Sequence, residues 1–330
     1  MKILKTLIYD ASKESLDPYL NLAREEAFLS ALKADEALLY LWRNEHTVVI
    51  GKNQNAFREC DVSRLEADGG HLARRLSGGG AVYHDRDNLN YTIFVPSSAY
   101  DIARQTQVIL QAVRSLGLEP EASGRNDLLL DGRKFSGTAY YRTKDMCYQH
   151  GTLLMKVDEE KMTRCLTPSK AKLEAKGVLS VRSRVVGLNE LDSSLTLEAL
   201  TEAMKKAFET VYGCEALSYE GPDTWTELRA KYADPTWIYG QRRPFNLTME
   251  DRFPWGEIQL SLQVESGRIH ECMVHTDAMD TELSNTLENI LQGVAASPTL
   301  ITEALAKAAA TGRIEGSPAE DIKTMIERWM

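Results

Sequence analysis

The chain has 330 residues, of which 43% are hydrophobic and 26% are charged, an ordinary composition for a globular protein. Its length predicts two domains, because a single hydrophobic core rarely grows so large. The formal net charge of −9 argues against nucleic acid as the main partner, and no apolar run approaches the roughly 20 residues that span a bilayer.

The N-terminal residues and the cysteines predict a cytoplasmic protein. The apolar run within residues 1–10 is too short for a secretory signal and predicts a first strand instead. The five cysteines are odd in number and widely scattered, which favours reduced thiols over disulfides or a zinc site. They are Cys60, Cys147, Cys165, Cys214 and Cys272.

Helices and strands alternate in the first third of the chain. A helix is predicted over 17–32, with Asp17 as its N-cap and a proline at its first position. Two strands follow at 37–42 and 47–50, joined by a polar turn. A second helix is predicted over 101–116, with a glycine after its end. We expect its apolar residues to lie in the core: Ile102, Val108, Ile109, Ala112, Val113 and Leu116.

Three consecutive glycines occupy positions 78–80, and each weakens a helix or strand interior by roughly 0.5–1 kcal/mol relative to alanine. Without side chains, this backbone can turn with positive φ and bring its N–H groups against a ligand. Arg74 and Arg75 supply positive charge for a carboxylate or phosphate. The residues alone equally allow a glycine-rich hairpin turn between strands at 81–83 and 91–95.

A second informative segment is a predicted β-hairpin that turns at 131–132, between strands at 128–130 and 135–141. Lys134 lies two residues past this turn, where a rigid strand can aim its ammonium group into a cleft beside the glycines. The alternative is a solvent-exposed lysine, which the residue considered alone favours.

The middle of the chain is less regular. The segment 170–184 carries five basic residues and one acid, which indicates a solvated loop or a segment that closes over an anionic ligand or an acidic partner. A helix is predicted over 196–213. An irregular stretch begins at Gly221, and its aromatic residues predict that it packs on a core. They are Trp225, Trp237, Tyr239 and Phe245.

The C-terminal part predicts a separate small domain after a boundary at 246–250. Strands are expected at 258–264 and 268–275, around a Ser-Gly turn. Helices follow over 281–294 and from 298 onward.

Several separated motifs occur in one order along nearly the whole chain. They are Trp42-Arg43-Asn44, Val48-Val49-Ile50-Gly51, Arg74-Arg75-Leu76-Ser77-Gly78-Gly79-Gly80-Ala81-Val82-Tyr83-His84-Asp85, Arg125-Asn126-Asp127, Arg133-Lys134-Phe135-Ser136-Gly137-Thr138-Ala139, His150-Gly151-Thr152-Leu153-Leu154, Ala175-Lys176-Gly177, Ser180-Val181-Arg182-Ser183-Arg184 and Phe253-Pro254-Trp255-Gly256. This order resembles the lipoate-protein ligase A family, within the wider group of biotin and lipoate protein ligases. The resemblance implies an α/β (α+β) fold, with a large mixed-sheet catalytic domain at 1–246 and a small α/β accessory domain at 247–330.

The function implied by the resemblance is ATP-dependent lipoate-protein ligation. Lipoate, the substrate, would be activated to lipoyl-AMP with ATP and Mg²⁺ as cofactors. The lipoyl group would then pass to a lysine of lipoyl-domain acceptors, namely 2-oxoacid dehydrogenase E2 subunits and the glycine cleavage H protein. The protein is expected to be a cytoplasmic monomer that binds neither nucleic acid nor membrane. Activation requires cations and N–H donors in a dry cleft, because the carboxylate and the phosphate repel each other.

The resemblance also implies a site. Lys134 is the predicted catalytic residue, since the family lysine contacts both lipoate and nucleotide. The implied binding residues are Arg75, Ser77, Gly79, Gly80, Ala81, Val82, Tyr83, Asn126, Asp127, Lys134, Gly137, Ala139 and His150. Asp127 is also the candidate Mg²⁺ ligand, although Asn126 and Asp127 can instead form an Asx turn. The basic segment 170–184 matches a family loop that orders over the adenylate, and we expect adenylate formation to protect it from proteolysis.

The apolar tail of the ligand needs a tunnel, and the residues around the glycines are candidates for its lining. They are Leu76, Val82, Tyr83 and His84, which the sequence does not separate from core residues.

Three alternatives remain open at the level of sequence. An ATP-independent octanoyl or lipoyl transferase of the same fold would use a cysteine thioester. Such relatives carry a cysteine ahead of the Gly-Arg-Lys motif, whereas residues 123–127 contain none, and Cys147 stays a candidate. A non-catalytic lipoyl-binding protein and a biotin ligase are the other two readings.

Overall fold

A computed structural model describes residues 4–124, 126–167, 185–240, 245 and 247–329. The predictions for the basic segment 170–184, and for Arg125 and Asn246, lie outside these residues. The strands are β1 (Lys5–Asp10), β2 (Glu36–Trp42), β3 (Thr47–Ile50), β4 (His71–Arg74), β5 (Val82–His84), β6 (Asn88–Pro96), β7 (Glu121–Ser123), β8 (Asp127–Leu130), β9 (Arg133–Arg142), β10 (Met146–Leu154), β11 (Leu217–Ser218), β12 (Leu247–Phe253), β13 (Gly256–Glu265) and β14 (Arg268–Thr276). The helices are α1 (Pro18–Ala31), α2 (Ala56–Glu59), α3 (Val62–Ala67), α4 (Ile102–Ser115), α5 (Glu159–Cys165), α6 (Leu188–Leu191), α7 (Leu197–Tyr212), α8 (Trp225–Ala233), α9 (Pro235–Tyr239), α10 (Leu283–Leu291), α11 (Pro298–Ala310) and α12 (Gly316–Trp329), with a short 3₁₀ turn at Ser97–Ala99.

The large domain is built on an eight-stranded mixed sheet in the order β11-β1-β2-β6-β10-β9-β8-β7. Strand β1 pairs in parallel with β11 and β2, and the pairs from β2 to β7 are antiparallel. Successive side chains of β2 point to opposite faces. Leu38 and Tyr40 pack towards α1, whereas Leu39 and Leu41 pack towards α4 and α7. The predicted mixed sheet is confirmed.

The predicted helices of the large domain are present with their expected caps. Asp17 accepts from the backbone N–H groups at the start of α1, and Asp101 does so at the start of α4. Helix α7 ends at Gly213, which has a φ of 75°. Ile102 is a correction, because it is 46% exposed at the first position of α4, ahead of the buried stripe.

The region after Gly221 is also a correction, because it contains two helices, α8 and α9. Tyr232 is the one buried residue of α8, so the helix has little apolar periodicity to reveal it. Trp225 and Trp237 pack on the core around α1, as expected.

A second sheet, in the order β4-β3-β5, presents the glycines. Strand β5 pairs with β3, whereas β6 pairs with β2 and β10, so the alternative of a hairpin between the strands at 81–83 and 91–95 is wrong. The segment 75–81, here called the glycine loop, crosses over the end of β3. A Cβ at Gly51 would collide with the Gly79 carbonyl, so the crossing requires glycine there.

The β8–β9 hairpin is confirmed, with positive φ at Asp131 (50°) and Gly132 (72°), as a two-residue type I′ turn requires. The strand register shifts between Leu128 and Leu129, directly opposite the start of β9. This irregularity lies beside Lys134, where a bulge re-aims a side chain.

The small domain packs α10, α11 and α12 against the antiparallel sheet β12-β13-β14. Its hydrophobic core is drawn from residues 249–326 alone, as a separate domain requires. The boundary at 246/247 stays a prediction. Strand β12 was missed because Met249 is its one buried residue, which leaves almost no alternating pattern. None of the described helices has the length and apolarity to cross a membrane.

Candidate active site

A cleft of about 820 Å³, including its open mouth, lies between the glycine loop, the β8–β9 hairpin and the small domain. Its lining residues are Leu22, Trp42, Val49, Arg75, Gly79, Gly80, Ala81, Val82, His84, Asn90, Asn126, Lys134, Gly137, Thr138, Ala139, His150, Gly151, Thr152, Arg252 and Asp277. The predicted binding residues are among them, except Ser77, Tyr83 and Asp127. Two segments that are distant in sequence therefore form one site.

Arg75 braces the glycine loop from within. Its terminal nitrogens donate to the carbonyls of Gly78 (2.7 Å), Gly80 (2.8 Å) and Val49 (3.1 Å). Its Nε donates to Ser77 Oγ (2.9 Å). Burial lowers the pKa of Arg75 to about 10, which still leaves the group charged at neutral pH. The guanidinium thus holds the shape of the loop, and its contact with a nucleotide stays a prediction.

Arg74 was expected to offer charge to a ligand, and this expectation is wrong. Its guanidinium donates to the carbonyls of Ile238 (2.6 Å), Gln54 (2.7 Å) and Lys52 (2.8 Å). The Arg74 carbonyl in turn accepts from Trp237 Nε1 (2.9 Å). Adjacent residues at the end of an extended strand point to opposite sides, so only one of the two arginines faces the loop.

A buried hydrogen-bond chain connects helix α1 to the glycine loop through His150. Glu25 Oε1 accepts from His150 Nδ1 (2.8 Å) and from the Thr92 hydroxyl (2.7 Å). The carboxylate fixes the Nδ1–H tautomer, so His150 Nε2 accepts from the Ser77 hydroxyl (2.8 Å). Ser77 is fully buried. Its role is therefore to hold the loop, because its hydroxyl does not line the cleft.

Lys134 extends from β9 into the cleft. Its Nζ lies 2.9 Å from Asp127 Oδ1, and its side chain is 18% exposed. The side chain passes over Gly137, where a Cβ would collide with Nζ and lie 2.7 Å from Cε. The Lys134 carbonyl accepts from the N–H of Val186 (2.9 Å), which fixes the backbone beneath. A ligand anion can compete for this ammonium group, because its ion pair with Asp127 lies at the cleft, where another anion can exchange with the carboxylate.

One wall of the cleft is apolar. It is formed by Leu22 from α1, Trp42 from β2, Val49 from β3 and Val82 from β5. Trp42 was missed as a site residue, although it belongs to one of the sequence motifs. Its place at the end of a buried strand was the available signal.

The tunnel-lining candidates divide by strand alternation. Val82 and His84 face the cleft from β5. Tyr83, between them, points to the other side and its hydroxyl hydrogen-bonds His46 Nδ1 (2.8 Å). Leu76 is buried in the core around α1 and does not line the cleft.

Two polar side chains interrupt the apolar wall. Asn44 Nδ2 lies 3.1 Å from His84 Nδ1, which places the ring proton on Nε2. Burial, with Arg75 and His150 nearby, lowers the pKa of His84 to about 3, so the ring is neutral at neutral pH. Within the described chain, His84 Nε2 and the side-chain amide of Asn90 have no hydrogen-bond partner. Both face the cleft, ready to bond a polar ligand atom.

The small domain completes the cleft with Arg252 and Asp277. The N–H of Gly79 donates to the Ala278 carbonyl (3.3 Å), and a Cβ at Gly78 would collide with the same carbonyl. Gly78 and Gly79 are therefore needed for contact between domains as well as for a turn. No sequence signal could have found Arg252 or Asp277, because they come from another domain.

The predicted Mg²⁺ ligand, Asp127, is paired with Lys134. In the described part of the chain, no group of three acidic, histidine or cysteine side chains is arranged to hold a metal ion. Mg²⁺ usually binds through one or two carboxylates together with substrate phosphates, so Asp127 would form such a site only with a bound nucleotide. The magnesium assignment stays a prediction.

All five cysteines lie among the described residues, and none lines the cleft. Cys147 is buried, and its Sγ lies 3.2 Å from Ser97 Oγ. It shares a face of β10 with Gln149, which hydrogen-bonds Thr106 of α4. His150 points to the opposite face, into the cleft. This placement argues against a thioester mechanism through Cys147.

A model of the lipoyl protein ligase A/B catalytic domain matches residues 17–209, and a model of the bacterial lipoate protein ligase C-terminus matches residues 243–326. The chain therefore has the fold class of the lipoate protein ligases, with a catalytic domain built on a mixed sheet and a small C-terminal domain. Because the catalytic-domain model covers more than half of the chain, this protein belongs to the lipoyl protein ligase A/B family.

Solved structures agree with this assignment. A crystal structure of P. falciparum LipL1 in complex with lipoate superposes with a TM-score of 0.83 at 25% identity, covering 98% of each chain. A bipartite lipoate protein ligase from Thermoplasma acidophilum, analysed with its E2 lipoyl domain, gives 0.63 at 23% identity, over 75% of this chain and 100% of that one. A lipoate-protein ligase A bound with ATP gives 0.62 at 22% identity, over 72% and 98%. At such identities, the last two show the fold alone.

Proposed function

We propose that this protein is an ATP-dependent lipoate-protein ligase that makes lipoyl-AMP and transfers the lipoyl group to a lysine of lipoyl-domain proteins. The observation that carries the proposal is the shared cleft, in which the Lys134 ammonium group and the glycine loop face each other beside an apolar wall. Similar proteins supply the chemistry. Their structures contain lipoate in one case and ATP in another, and a third was analysed with an E2 lipoyl domain.

The first half-reaction joins two anions. A lipoate carboxylate oxygen attacks the α-phosphorus of ATP, a new P–O bond forms, and pyrophosphate leaves with the electrons of the broken P–O bond. Lys134 is suited to this step because one ammonium group can neutralise both the carboxylate and the α-phosphate. On binding, these oxygens would replace Asp127 as its partners.

The apolar wall suits the hydrocarbon tail of the acid. Leu22, Trp42, Val49 and Val82 would surround a chain of methylene groups, each of which gains about 0.8 kcal/mol on burial. The carboxylate would then lie towards Lys134. The tail therefore sets the distance between carboxylate and phosphate, which is how binding energy is used for positioning.

In the second half-reaction, a neutral acceptor lysine attacks the acyl carbon, an amide bond forms, and AMP leaves. Lys134 would stabilise the charge that develops on the carbonyl and phosphate oxygens. The acceptors we propose are 2-oxoacid dehydrogenase E2 subunits and the glycine cleavage H protein. We propose cytoplasmic location and a monomeric state for the enzyme.

Mass spectrometry of a lipoyl domain incubated with the protein, lipoate and ATP tests this function. We expect the domain to gain one lipoyl group at its target lysine, with pyrophosphate released. Omission of ATP should abolish the product, and Cys147→Ala should retain it. Transfer from an acyl thioester donor without ATP, lost in Cys147→Ala, would contradict the ligase and support a thioester transferase instead.

A further inference from the structure

Few cationic groups in the described cleft are available to a ligand. Arg75 directs its donors to the glycine loop. His84 is held neutral by burial, and His150 bonds Glu25 and Ser77. Lys134, whose ammonium group pairs with Asp127, is therefore the cation that the large domain's described cleft residues offer to a ligand.

The small domain contributes another cation, Arg252. It lies near the end of β12, opposite Glu257 of β13, and its side chain is only 15% exposed. Its Nη1 lies 3.4 Å from Glu257 Oε2 and 3.7 Å from Asp277 Oδ2, both longer than a charge-assisted hydrogen bond. Two carboxylates therefore hold the guanidinium in the cleft wall at a distance that leaves its donor fork available to an anion.

The position of Arg252 is fixed by its own domain and by the contact between domains. Asp277 Oδ1 accepts from the N–H of Glu257 (2.7 Å), which orients the carboxylate beside the guanidinium. The end of β14 is hydrogen-bonded to the large domain, because the N–H of Thr276 donates to the Asn53 carbonyl (2.9 Å). Arg252 is thus presented to the cleft from a site that is anchored on both sides.

We propose that Arg252 binds the polyphosphate chain of the nucleotide, so that the small domain completes the ATP site. This inference rests on the proposed ligase function. One ammonium group cannot neutralise a carboxylate, an α-phosphate and the phosphates beyond it, and a guanidinium fork matches phosphate oxygens in geometry. ATP would then connect the two domains, and the leaving pyrophosphate would be stabilised by the small domain.

Binding measurements on the full chain test the proposal. Isothermal titration with ATP and with AMP, without lipoate so that ATP is not consumed, would compare wild type with Arg252→Gln. We expect the Kd for ATP to rise at least tenfold, while the Kd for AMP changes less than twofold, because AMP lacks the outer phosphates. Arg252→Lys, which keeps the charge without the fork, should fall between the two.

Arg58→Gln is the matched control. Arg58 lies on the large domain, pairs with Glu250 (2.7 Å) and Glu257 (3.6 Å), and does not line the cleft. The Arg58→Gln variant removes an ion pair between the domains that involves Glu257, which also pairs with Arg252. Because Arg58 does not line the cleft, the variant should leave the Kd for ATP within about threefold of wild type. A merely structural role for Arg252 would make both variants lose ATP equally.

The outcomes separate the two proposals. If Arg252→Gln leaves the affinity for ATP unchanged, or weakens the binding of AMP and ATP equally, the proposed role of Arg252 is overturned. The proposed ligase function would still stand if the wild type releases pyrophosphate. A wild type that neither binds ATP nor releases pyrophosphate with lipoate would overturn both.

Discussion

The glycine loop and the Lys134 hairpin face each other across one cleft, yet they are held very differently. Arg75 makes three hydrogen bonds within the loop and a fourth to Val49 of β3, and a buried chain from Glu25 through His150 adds another to Ser77. Lys134 is 18% exposed, and its ammonium group forms an ion pair with Asp127. The loop is built as a fixed template, whereas the ammonium group can change partners when an anion arrives.

This difference separates stability from chemistry. Removing a buried donor leaves several carbonyls without partners, at about 1–3 kcal/mol for each buried group. The side chains of the Lys134–Asp127 pair are 18% and 16% exposed, and replacing the ammonium group with an amide that can still hydrogen-bond the carboxylate should change stability by less, about 1 kcal/mol. A mutation of Lys134 should therefore lower mainly the reaction rate, whereas a mutation that removes Arg75 from the glycine loop should lower mainly the free energy of unfolding.

The largest expected effect is on the rate, in Lys134→Gln. Loss of the charge that stabilises the developing anions should slow lipoyl-AMP formation by about 10³-fold, while the melting temperature stays near that of wild type. Pyrophosphate release and thermal unfolding measure the two quantities. Arg133→Gln is the control, because Arg133 precedes it on the hairpin and pairs with Glu190 at the surface. A Lys134→Gln enzyme with near-normal turnover would remove Lys134 from the mechanism.

The next effect is on stability, in Arg75→Gln. The variant leaves the carbonyls of Val49, Gly78 and Gly80 short of donors, so we expect about 3 kcal/mol of destabilisation by urea unfolding. Arg86→Gln removes an exposed arginine that pairs with Glu45, and it should cost less than about 1 kcal/mol. Equal unfolding free energies for the two variants would contradict the view of the loop as a braced template.

The sequence predicts those parts of the site that local chemistry determines. Asp131 and Gly132 demand a tight turn, and this turn places Lys134 near the start of the next strand. The three glycines mark a close approach, but their partners include the carbonyl of Ala278, from a domain almost 200 positions away in sequence. Such a contact is decided by packing between domains, which no local pattern encodes.

The same limit explains the misassigned Arg74. Arg74 and Arg75 are identical in type and adjacent, so composition gives both the same affinity for an anion. Strand alternation sends one to the carbonyls around Ile238 and the other into the glycine loop. Their different surroundings, not their chemistry, decide that neither behaves as an exposed cation.

The smallest effect concerns pH and the neutral His84 beside the glycine loop. Its pKa is lowered to about 3, so the folded state resists protonation, whereas the unfolded chain binds a proton below its ordinary pKa of about 6.5. This contribution to stability is therefore present above pH 6.5 and is lost as pH falls towards 3, at about 1.4 kcal/mol per pH unit.

His84→Gln keeps an acceptor for Asn44 but removes the titration. Urea unfolding from pH 7 to 4.5 should show a weaker loss of stability in the variant, with the two curves converging by about 2 kcal/mol at the acid end. Parallel curves for wild type and His84→Gln would mean that His84 titrates normally, and that the loop side of the cleft admits water freely. Converging curves would mean that the side of the cleft around His84 and the glycine loop excludes water before any ligand binds, as a preformed template requires.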